Sequence, residues 1–283
     1  MKRIGLLYYP RREDSARLAT QVAQFLRQRD RDIEIWQGSA DDEEALQETA
    51  PNLDVLITMG GDGTIVCAVR CVATAGVPVL GVNLGRLGFL SEVEPSQVQE
   101  ALSKLLGGQY VVEERMMLHA ELRRDGEVLL ETEAINDLVM ARGLVSRTVH
   151  VSIAVDGHHV MTPAADGVIV STPTGSTAYC LAAGGPIVAP DLNCLTITPI
   201  AAHLGIAHAF VIPAHRVLCL QLVKGRGAML TVDGQSDLEL ALGDTVRATA
   251  SENRAKFIRF GDDGYFYETV LRRLRWPDRD AMA

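Results

Sequence analysis

The chain has 283 residues, of which 47% are hydrophobic and 22% charged, so it can form one large or two medium hydrophobic cores. Its net charge of -9 argues against duplex DNA or an anionic membrane as the main partner. No run approaches the roughly 18 apolar residues that span a bilayer, and the first apolar run is too short for a signal peptide, which predicts a cytoplasmic protein.

The first hundred residues alternate between strand and helix patterns. Apolar runs predict strands at 3–9, 33–36, 54–59 and 77–83. Helical spacing predicts one helix capped by Ser15, one from about Asp41, one over 64–76 and one over 95–108. This βαβ alternation predicts a parallel sheet covered by helices on both faces.

After residue 108 the pattern changes, because strand-like stretches follow one another. Asp-Gly pairs at 125–126 and 156–157 interrupt period-two stretches and predict hairpin turns. A domain boundary is therefore expected near 108–115. The predicted organisation is an α/β domain over 1–110, a β-rich domain over 111–264, and a terminal helix over 265–283 that returns to the first domain.

The segment MGGDGT at 59–64 lies between a predicted strand and a predicted helix, as loops do at the ligand-binding edge of parallel sheets. Gly60, Gly61 and Gly63 permit positive φ and leave room for a phosphate, and the helix offers free N–H groups near Thr64. Asp62 places a negative charge there, which either pairs with a metal or acts as a base on an attacking hydroxyl. The simpler alternative is that Asp62 caps the helix.

The nucleotide motifs GxxxxGK[ST] and GxGxxG are both absent, which argues against a P-loop protein and a nicotinamide dehydrogenase. A second candidate segment, DGVIVSTPTGSTAYCLAAGGP at 166–186, runs from a strand into a hydroxyl-rich helix start. Hydroxyls and amides there suit ribose or phosphate groups, although composition alone slightly favours a Ser/Thr-capped strand-to-helix turn.

Two further features are polar or sulfur-containing residues in apolar surroundings. Asn136 and Asp137 interrupt an apolar strand, which is costly unless something pairs with them. Cys67 and Cys71 lie four residues apart on a predicted helix, and we interpret them as small buried hydrophobic residues. No protein metal ligands are predicted.

In this order and spacing, the GGDGT, Asn136-Asp137 and TPTGSTAY segments resemble those of the NAD kinase family. The segments LGVNLGRLGFL at 80–90 and TVDGQ at 231–235 also look like family segments, so the resemblance covers essentially the whole chain. GGDGT alone is shared with diacylglycerol and sphingosine kinases, and the TPTGSTAY segment separates NAD kinases from them.

The resemblance implies transfer of a phosphoryl group from ATP, or another donor, to the 2′-hydroxyl of the adenosine ribose of NAD, giving NADP. It also implies a divalent metal (Mg²⁺ or Mn²⁺), a Rossmann-like α/β domain, a carboxyl-terminal β-sandwich-like domain, an inter-domain site, and a homodimer or homotetramer. By position, Asp62 is the general base and Asp166 lies on the nicotinamide side. The residues implied to bind substrates are Gly60, Gly61, Gly63, Thr64, Phe89, Asn136, Asp137, Arg147, Asp166, Thr174, Thr177, Ala178, Tyr179, Ala182 and Gln235.

Two positions depart from the family pattern. Asp137 stands where Glu is commoner, and Ala164 stands where some relatives carry a basic residue, which we hypothesise relaxes discrimination between NAD and NADH. Two other functions stay open. A lipid kinase would need an apolar or basic membrane-seeking patch, and a dinucleotide sensor without catalysis would tolerate loss of Asp62.

Overall fold

A computed structural model describes residues 1–85, 88–143, 148–202, 208–261 and 264–274, with backbone only at 236 and 237. The chain divides into two compact units. The first unit comprises Met1–Glu114 and the chain from Ala255 onward, and the second comprises Arg115–Arg254. None of the helices in these described ranges is long and apolar enough to cross a bilayer.

The elements alternate between strand and helix up to residue 106. They are β1 (Arg3–Tyr8), α1 (Glu13–Arg29), β2 (Glu34–Ser39), α2 (Glu43–Thr49), β3 (Val55–Gly60), α3 (Asp62–Val72), β4 (Val79–Asn83) and α4 (Val98–Leu106).

The chain then continues mainly as strands, which are interrupted by the short helix α5 and followed by the terminal helix α6. These elements are β5 (Val111–Arg124), β6 (Glu127–Ala134), β7 (Asp137–Arg142), β8 (Val149–Val155), β9 (His158–Met161), β10 (Ala164–Ala165), β11 (Gly167–Ser171), α5 (Tyr179–Ala182), β12 (Cys194–Ile200), β13 (Phe210–Pro213), β14 (Leu218–Lys224), β15 (Ala228–Val232), β16 (Gln235–Leu240), β17 (Thr245–Arg259) and α6 (Tyr265–Leu274).

The first unit contains a parallel sheet in the order β2-β1-β3-β4, which confirms the predicted βαβ pattern. The end of β17 adds a parallel neighbour, with Phe257 opposite Val79. All six residues of β3 are buried, as expected of a strand covered on both faces. The helices α1 and α4 contribute their apolar faces to the core that contains Ile4 and Ile57.

The predicted cap at Ser15 is wrong. Helix α1 begins at Glu13, and Ser15 lies within its first turn. The Ser15 hydroxyl instead accepts a hydrogen bond from the Tyr9 N–H at 2.8 Å and donates one to the Met59 carbonyl at 2.7 Å. This buried hydroxyl therefore links the ends of β1 and β3. It supplies hydrogen-bond partners for two backbone groups, the Tyr9 N–H and the Met59 carbonyl.

The second unit is β-rich, as predicted. One antiparallel sheet has the order β13-β12-β11-β7-β15-β16. A second group of strands has the order β10-β8-β14-β17, with the β5–β6 hairpin and β9 at its sides. Met140 and Val168 from the first sheet share one hydrophobic core with Ile153 and Leu220 from the second group, so the unit is sandwich-like.

Both predicted hairpins are present. Asp125-Gly126 joins β5 to β6, and Asp156-Gly157 joins β8 to β9. The two aspartates have φ values of 51° and 49°, and each is followed by a glycine with positive φ. A third Asp-Gly pair, Asp233-Gly234, joins β15 to β16 with φ values of 52° and 69°. Consecutive positive φ values are typical of the tight type I′ hairpin turn.

Candidate active site

The GGDGT segment connects the end of β3 to the start of α3. None of its glycines has positive φ, so conformational freedom does not explain them. A Cβ on Gly60 would lie 2.3 Å from the Thr64 Oγ1, so close packing requires that glycine. A Cβ on Gly61 or Gly63 would meet nothing within 4 Å, so these two positions leave open space beside the helix start.

Asp62 is the first residue of α3 and does not cap it. Gly61 occupies the cap position, where no side-chain hydrogen bond forms. The Asp62 carboxylate instead accepts the N–H of Phe89 at 2.7 Å and of Leu90 at 3.4 Å. The helix-cap alternative is therefore wrong, and the carboxylate is held by a loop distant in sequence.

The 88–90 loop fits closely around this carboxylate. A Cβ on Gly88 would lie 1.7 Å from Oδ1 of Asp62, so only glycine fits there. From α6, the Arg273 guanidinium lies 3.8 Å from Oδ2 of Asp62 and stacks over the Phe89 ring, with its Cζ 4.9 Å from the ring centroid. The Asp62 side chain nevertheless stays 30% exposed, so it is fixed in place and still open to a ligand.

The sequence predicts free N–H groups near Thr64, and the amide of Thr64 itself is not one of them. It donates to the Gly61 carbonyl at 3.0 Å, and the residue is buried. The first two residues of α3, Asp62 and Gly63, precede the helical hydrogen bonds. An anion at this helix start would therefore be bound by the amides of Asp62 and Gly63, next to Thr64.

The second unit has a pocket of ≈ 440 Å³, within the usual size range for small-molecule sites. It brings together four of the residues predicted to bind substrate, which are Asn136, Asp137, Ala178 and Tyr179. Its remaining lining residues are Val139, Ala141, Thr231, Asp233 and Gly234.

Asp137 is only 4% exposed. Burial, and secondarily repulsion from Asp233, raises the pKa of Asp137 to about 7. Burying this carboxyl group in its ionised form is costly, as the sequence predicts for a polar residue in this strand. The group therefore keeps its proton over much of the acidic range.

The nearby Asp233 carboxylate organises the start of β7. It accepts three backbone N–H groups, from Ile135 at 2.9 Å, Asn136 at 2.8 Å and Asp137 at 3.1 Å. Sequence reasoning did not assign this role to Asp233. Its sequence signals were the Asp-Gly pair and the family-like TVDGQ segment, neither of which could identify the three bonds, because they reach nearly a hundred residues along the chain.

The hydroxyl groups of the TPTGSTAY segment form hydrogen bonds within the protein. After β11 the segment forms a 3₁₀ turn at Thr174–Thr177 and then the single turn of α5. The Ser176 hydroxyl donates to the Pro173 carbonyl at 2.6 Å and accepts the Val188 N–H at 3.0 Å, and the Thr177 hydroxyl donates to the Thr174 carbonyl at 3.1 Å. These hydroxyls form hydrogen bonds within the protein, but neither caps a helix, since no side-chain cap bond forms at the 3₁₀ turn or at α5.

The same segment also supports the pocket directly. A Cβ on Gly175 would lie 2.0 Å from the Asn136 carbonyl oxygen, so this glycine lets the turn pack against the Asn136 backbone. Three and four residues later, Ala178 and Tyr179 line the pocket, and the Tyr179 side chain is exposed.

The other predicted site residues lie outside the pocket lining. The Arg142 guanidinium donates to the Asp166 carboxylate at 2.9 Å, so Asp166 forms an ion pair. Ala182 is exposed at the end of α5, and Gln235 begins β16 directly after Gly234 of the pocket. Arg147 lies outside the described residues.

Comparisons with known proteins cover most of the chain. The ATP-NAD kinase N-terminal domain matches residues 12–110, and the ATP-NAD kinase C-terminal domain matches residues 135–260. The NAD kinase of Geobacter metallireducens is 43% identical over 234 residues, 82% of each chain. That of Dehalococcoides mccartyi is 36% identical over 275 residues, 97% of this chain and 96% of the relative.

Two solved structures share the fold. Yeast NADH kinase complexed with NADH has a TM-score of 0.87 at 24% identity, covering 98% of this chain and 89% of the yeast chain. An NAD kinase from Archaeoglobus fulgidus in complex with ATP has a TM-score of 0.72 at 24% identity, covering 94% and 96%. With both domain families matched in order and relatives above 40% identity, the chain belongs to the NAD kinase family.

Proposed function

We propose that the chain is an NAD kinase, which transfers a phosphoryl group from ATP to the 2′-hydroxyl of the adenosine ribose of NAD and so forms NADP. The observation that carries this proposal is the position of Asp62. Its carboxylate lies where β3 ends and α3 begins, is fixed by the Phe89 and Leu90 N–H groups, and stays partly exposed.

In the proposed reaction, Asp62 accepts a hydrogen bond from the ribose 2′-hydroxyl and receives its proton as the oxygen attacks the γ-phosphorus of ATP. The new O–P bond forms while the bond between the γ-phosphorus and the bridging oxygen breaks, and ADP leaves with that electron pair. A carboxylate is a weak base toward an alcohol, so its contribution comes mainly from orienting the hydroxyl.

The residues around Asp62 fit a Mg²⁺ ion held mainly by the phosphates of ATP. In the described part of the chain, no cluster of three acidic, histidine or cysteine ligands surrounds Asp62. Mg²⁺ commonly binds through one or two carboxylates together with substrate phosphates, so the single carboxylate is sufficient. When bound, the ion would neutralise the charge on the transferred phosphoryl group.

The positive charge that the structure describes beside Asp62 comes from an arginine. The chain has only four lysines, at positions 2, 104, 224 and 256. Arg273 lies 3.8 Å from Asp62 and is therefore the arginine that we assign to neutralising charge beside the transferred group. The open space at Gly61 and Gly63 leaves room for the phosphates.

The pocket of the second unit suits the NAD substrate. Asn136 supplies an amide that both donates and accepts, and Asp137 supplies a carboxyl group that accepts ribose hydroxyls. Tyr179 offers an exposed aromatic ring for stacking. Binding roles for the other predicted residues, including Thr174 and Gln235, stay predictions, as do Mg²⁺ as the metal, a homodimer or homotetramer, and a cytoplasmic location.

The test is NADP formation from NAD, ATP and Mg²⁺ by the native protein and by Asp62→Asn. The variant should lose at least about a hundredfold in kcat with little change in the KM for NAD, because it keeps the shape and loses the proton acceptor. Asp125→Asn, in an exposed hairpin, is the matched control. A native protein that forms no NADP, or a fully active Asp62→Asn variant, would overturn the assignment.

The same assay separates the competing functions. A sensor would bind NAD without turnover, and a lipid kinase would phosphorylate a vesicle-borne diacylglycerol or sphingosine instead. Running NADH beside NAD tests the Ala164 hypothesis, since equal rates support relaxed discrimination and a strong preference for NAD contradicts it.

A further inference from the structure

A second group of reactive side chains lies away from the GGDGT loop, where α2 packs against α3. Cys67 and Cys71 are four residues apart on α3 and therefore share one face of that helix. Glu43, the first residue of α2, points toward both of them. We call these three residues the Glu43–Cys67–Cys71 cluster.

The geometry of the cluster matches a metal site. The Cys67 Sγ lies 3.6 Å from Oε1 of Glu43, and the Cys71 Sγ lies 3.9 Å from Oε2. The three ligand atoms all lie within 4.8 Å of one another. A tetrahedral Zn²⁺ with Zn–S of about 2.3 Å and Zn–O of about 2.1 Å would place sulfur and oxygen about 3.6 Å apart.

The environment of the thiols also favours metal binding. Both sulfurs are nearly fully buried, and Glu43 is half-buried. Both thiols donate to the same Glu43 carboxylate, so the two sulfurs and the carboxylate already share one set of contacts. Thiolates are the metal-binding form of cysteine.

We infer that Glu43, Cys67 and Cys71 form a binding site for a thiophilic divalent cation such as Zn²⁺. Binding releases the two thiol protons to solvent and replaces the S–H hydrogen bonds of the cluster with metal–sulfur bonds. Both cysteines are buried, as predicted, and this proposal adds a metal-binding role to that prediction. The ion joins α2 to α3, the helix whose first residue is Asp62, so its occupancy stabilises the helix that carries the proposed base.

The site is independent of the kinase proposal and is tested without any activity measurement. The reduced, chelator-treated full chain is titrated with Cd²⁺, a spectroscopic substitute for Zn²⁺, while the ultraviolet sulfur-to-metal charge-transfer band is recorded. We expect one Cd²⁺ per chain, displaced by Zn²⁺, and a higher melting temperature when Zn²⁺ is present.

Variants then assign the ligands. Cys67→Ser and Cys71→Ser should each lose tight Cd²⁺ binding and the gain in melting temperature. Glu43→Gln changes a partly exposed residue and leaves both thiols in place. It should weaken Cd²⁺ binding at least about tenfold, while the sulfur-to-metal charge-transfer band remains. Cys219→Ser is the control that should bind as the native chain does. No charge-transfer band at stoichiometric Cd²⁺, or unchanged affinity in Cys67→Ser, Cys71→Ser and Glu43→Gln, would overturn the site.

Discussion

Replacing Asp137 by Asn should change how the stability of the protein depends on pH. The Asp137 carboxyl is 4% exposed, and burial together with repulsion from Asp233 raises its pKa to about 7. Asn has nearly the same shape and cannot ionise. The variant therefore removes one titration and leaves the rest of the pocket in place.

The sign and size of the effect follow from the two pKa values of Asp137. In the unfolded chain an Asp ionises near pH 3.9, so between about pH 4 and pH 7 only the folded state keeps the proton. The free energy of unfolding therefore falls as the pH rises through this window and levels off above about pH 7. A difference of about three pKa units corresponds to about 4 kcal/mol, of which about 2 kcal/mol falls between about pH 5.5 and about pH 8.

The measurement is urea unfolding of native protein and Asp137→Asn at about pH 5.5 and about pH 8, without ligand. Relative to the native protein, the variant should gain about 2 kcal/mol over that interval. Hydrogen exchange of the β7 amides reports the same change locally.

Asp156→Asn is a matched control, because the Val217 N–H lowers the pKa of Asp156 and Asn also tolerates its φ of 49°. It should show no gain at high pH. Parallel pH profiles for Asp137→Asn and the native protein would show that Asp137 is ionised throughout, and would refute the reasoning.

Two further substitutions test the contacts that fix each unit. Gly88→Ala places a Cβ 1.7 Å from the Asp62 Oδ1, so the carboxylate must move. The rate of NADP formation should therefore fall about a hundredfold. Gly261→Ala is the control, because a Cβ there meets nothing within 4 Å, and it should leave the rate unchanged. Asp244→Asn breaks the 2.8 Å ion pair with Arg124, and urea unfolding should show a loss of about 2 kcal/mol at neutral pH. The hydrogen bond from Arg124 lowers the pKa of Asp244 in the folded protein. The loss of stability in Asp244→Asn should therefore shrink as the pH falls through that lowered pKa. A loss that stays constant with pH would contradict this prediction.

The overall fold could be predicted because its signals are local. The continuous apolar run of β3 and the helical spacing that follows it are sufficient to indicate a βα unit. The cap at Ser15 could not be predicted in the same way. Its spacing before an apolar helix fits a cap, but its partners are the Tyr9 N–H and the Met59 carbonyl, and the latter is 44 residues away.

The sequence predicted which residues form the candidate site better than it predicted what those residues contact. The position of Asp62 between strand and helix was readable, but the groups that hold its carboxylate, the N–H groups of Phe89 and Leu90, come from another loop. Gly60 likewise suggested conformational freedom, whereas its real constraint is the Thr64 side chain packed against it. Motifs indicate which side chains matter, and only the tertiary structure shows what each one contacts.

The Asp-Gly pairs illustrate how strongly context decides the role of one dipeptide. Asp62-Gly63 enters a helix, whereas Asp233-Gly234 forms a hairpin turn with positive φ at both residues. That turn directs the Asp233 carboxylate toward the N–H groups of residues 135–137, which fixes the strand start that carries Asn136 and Asp137. The same negative charge disfavours ionisation of Asp137. The Asp233 carboxylate therefore both fixes the start of β7 and adds to the rise in the Asp137 pKa that burial mainly causes, so Asp233→Asn should lower that pKa in part while loosening the start of β7.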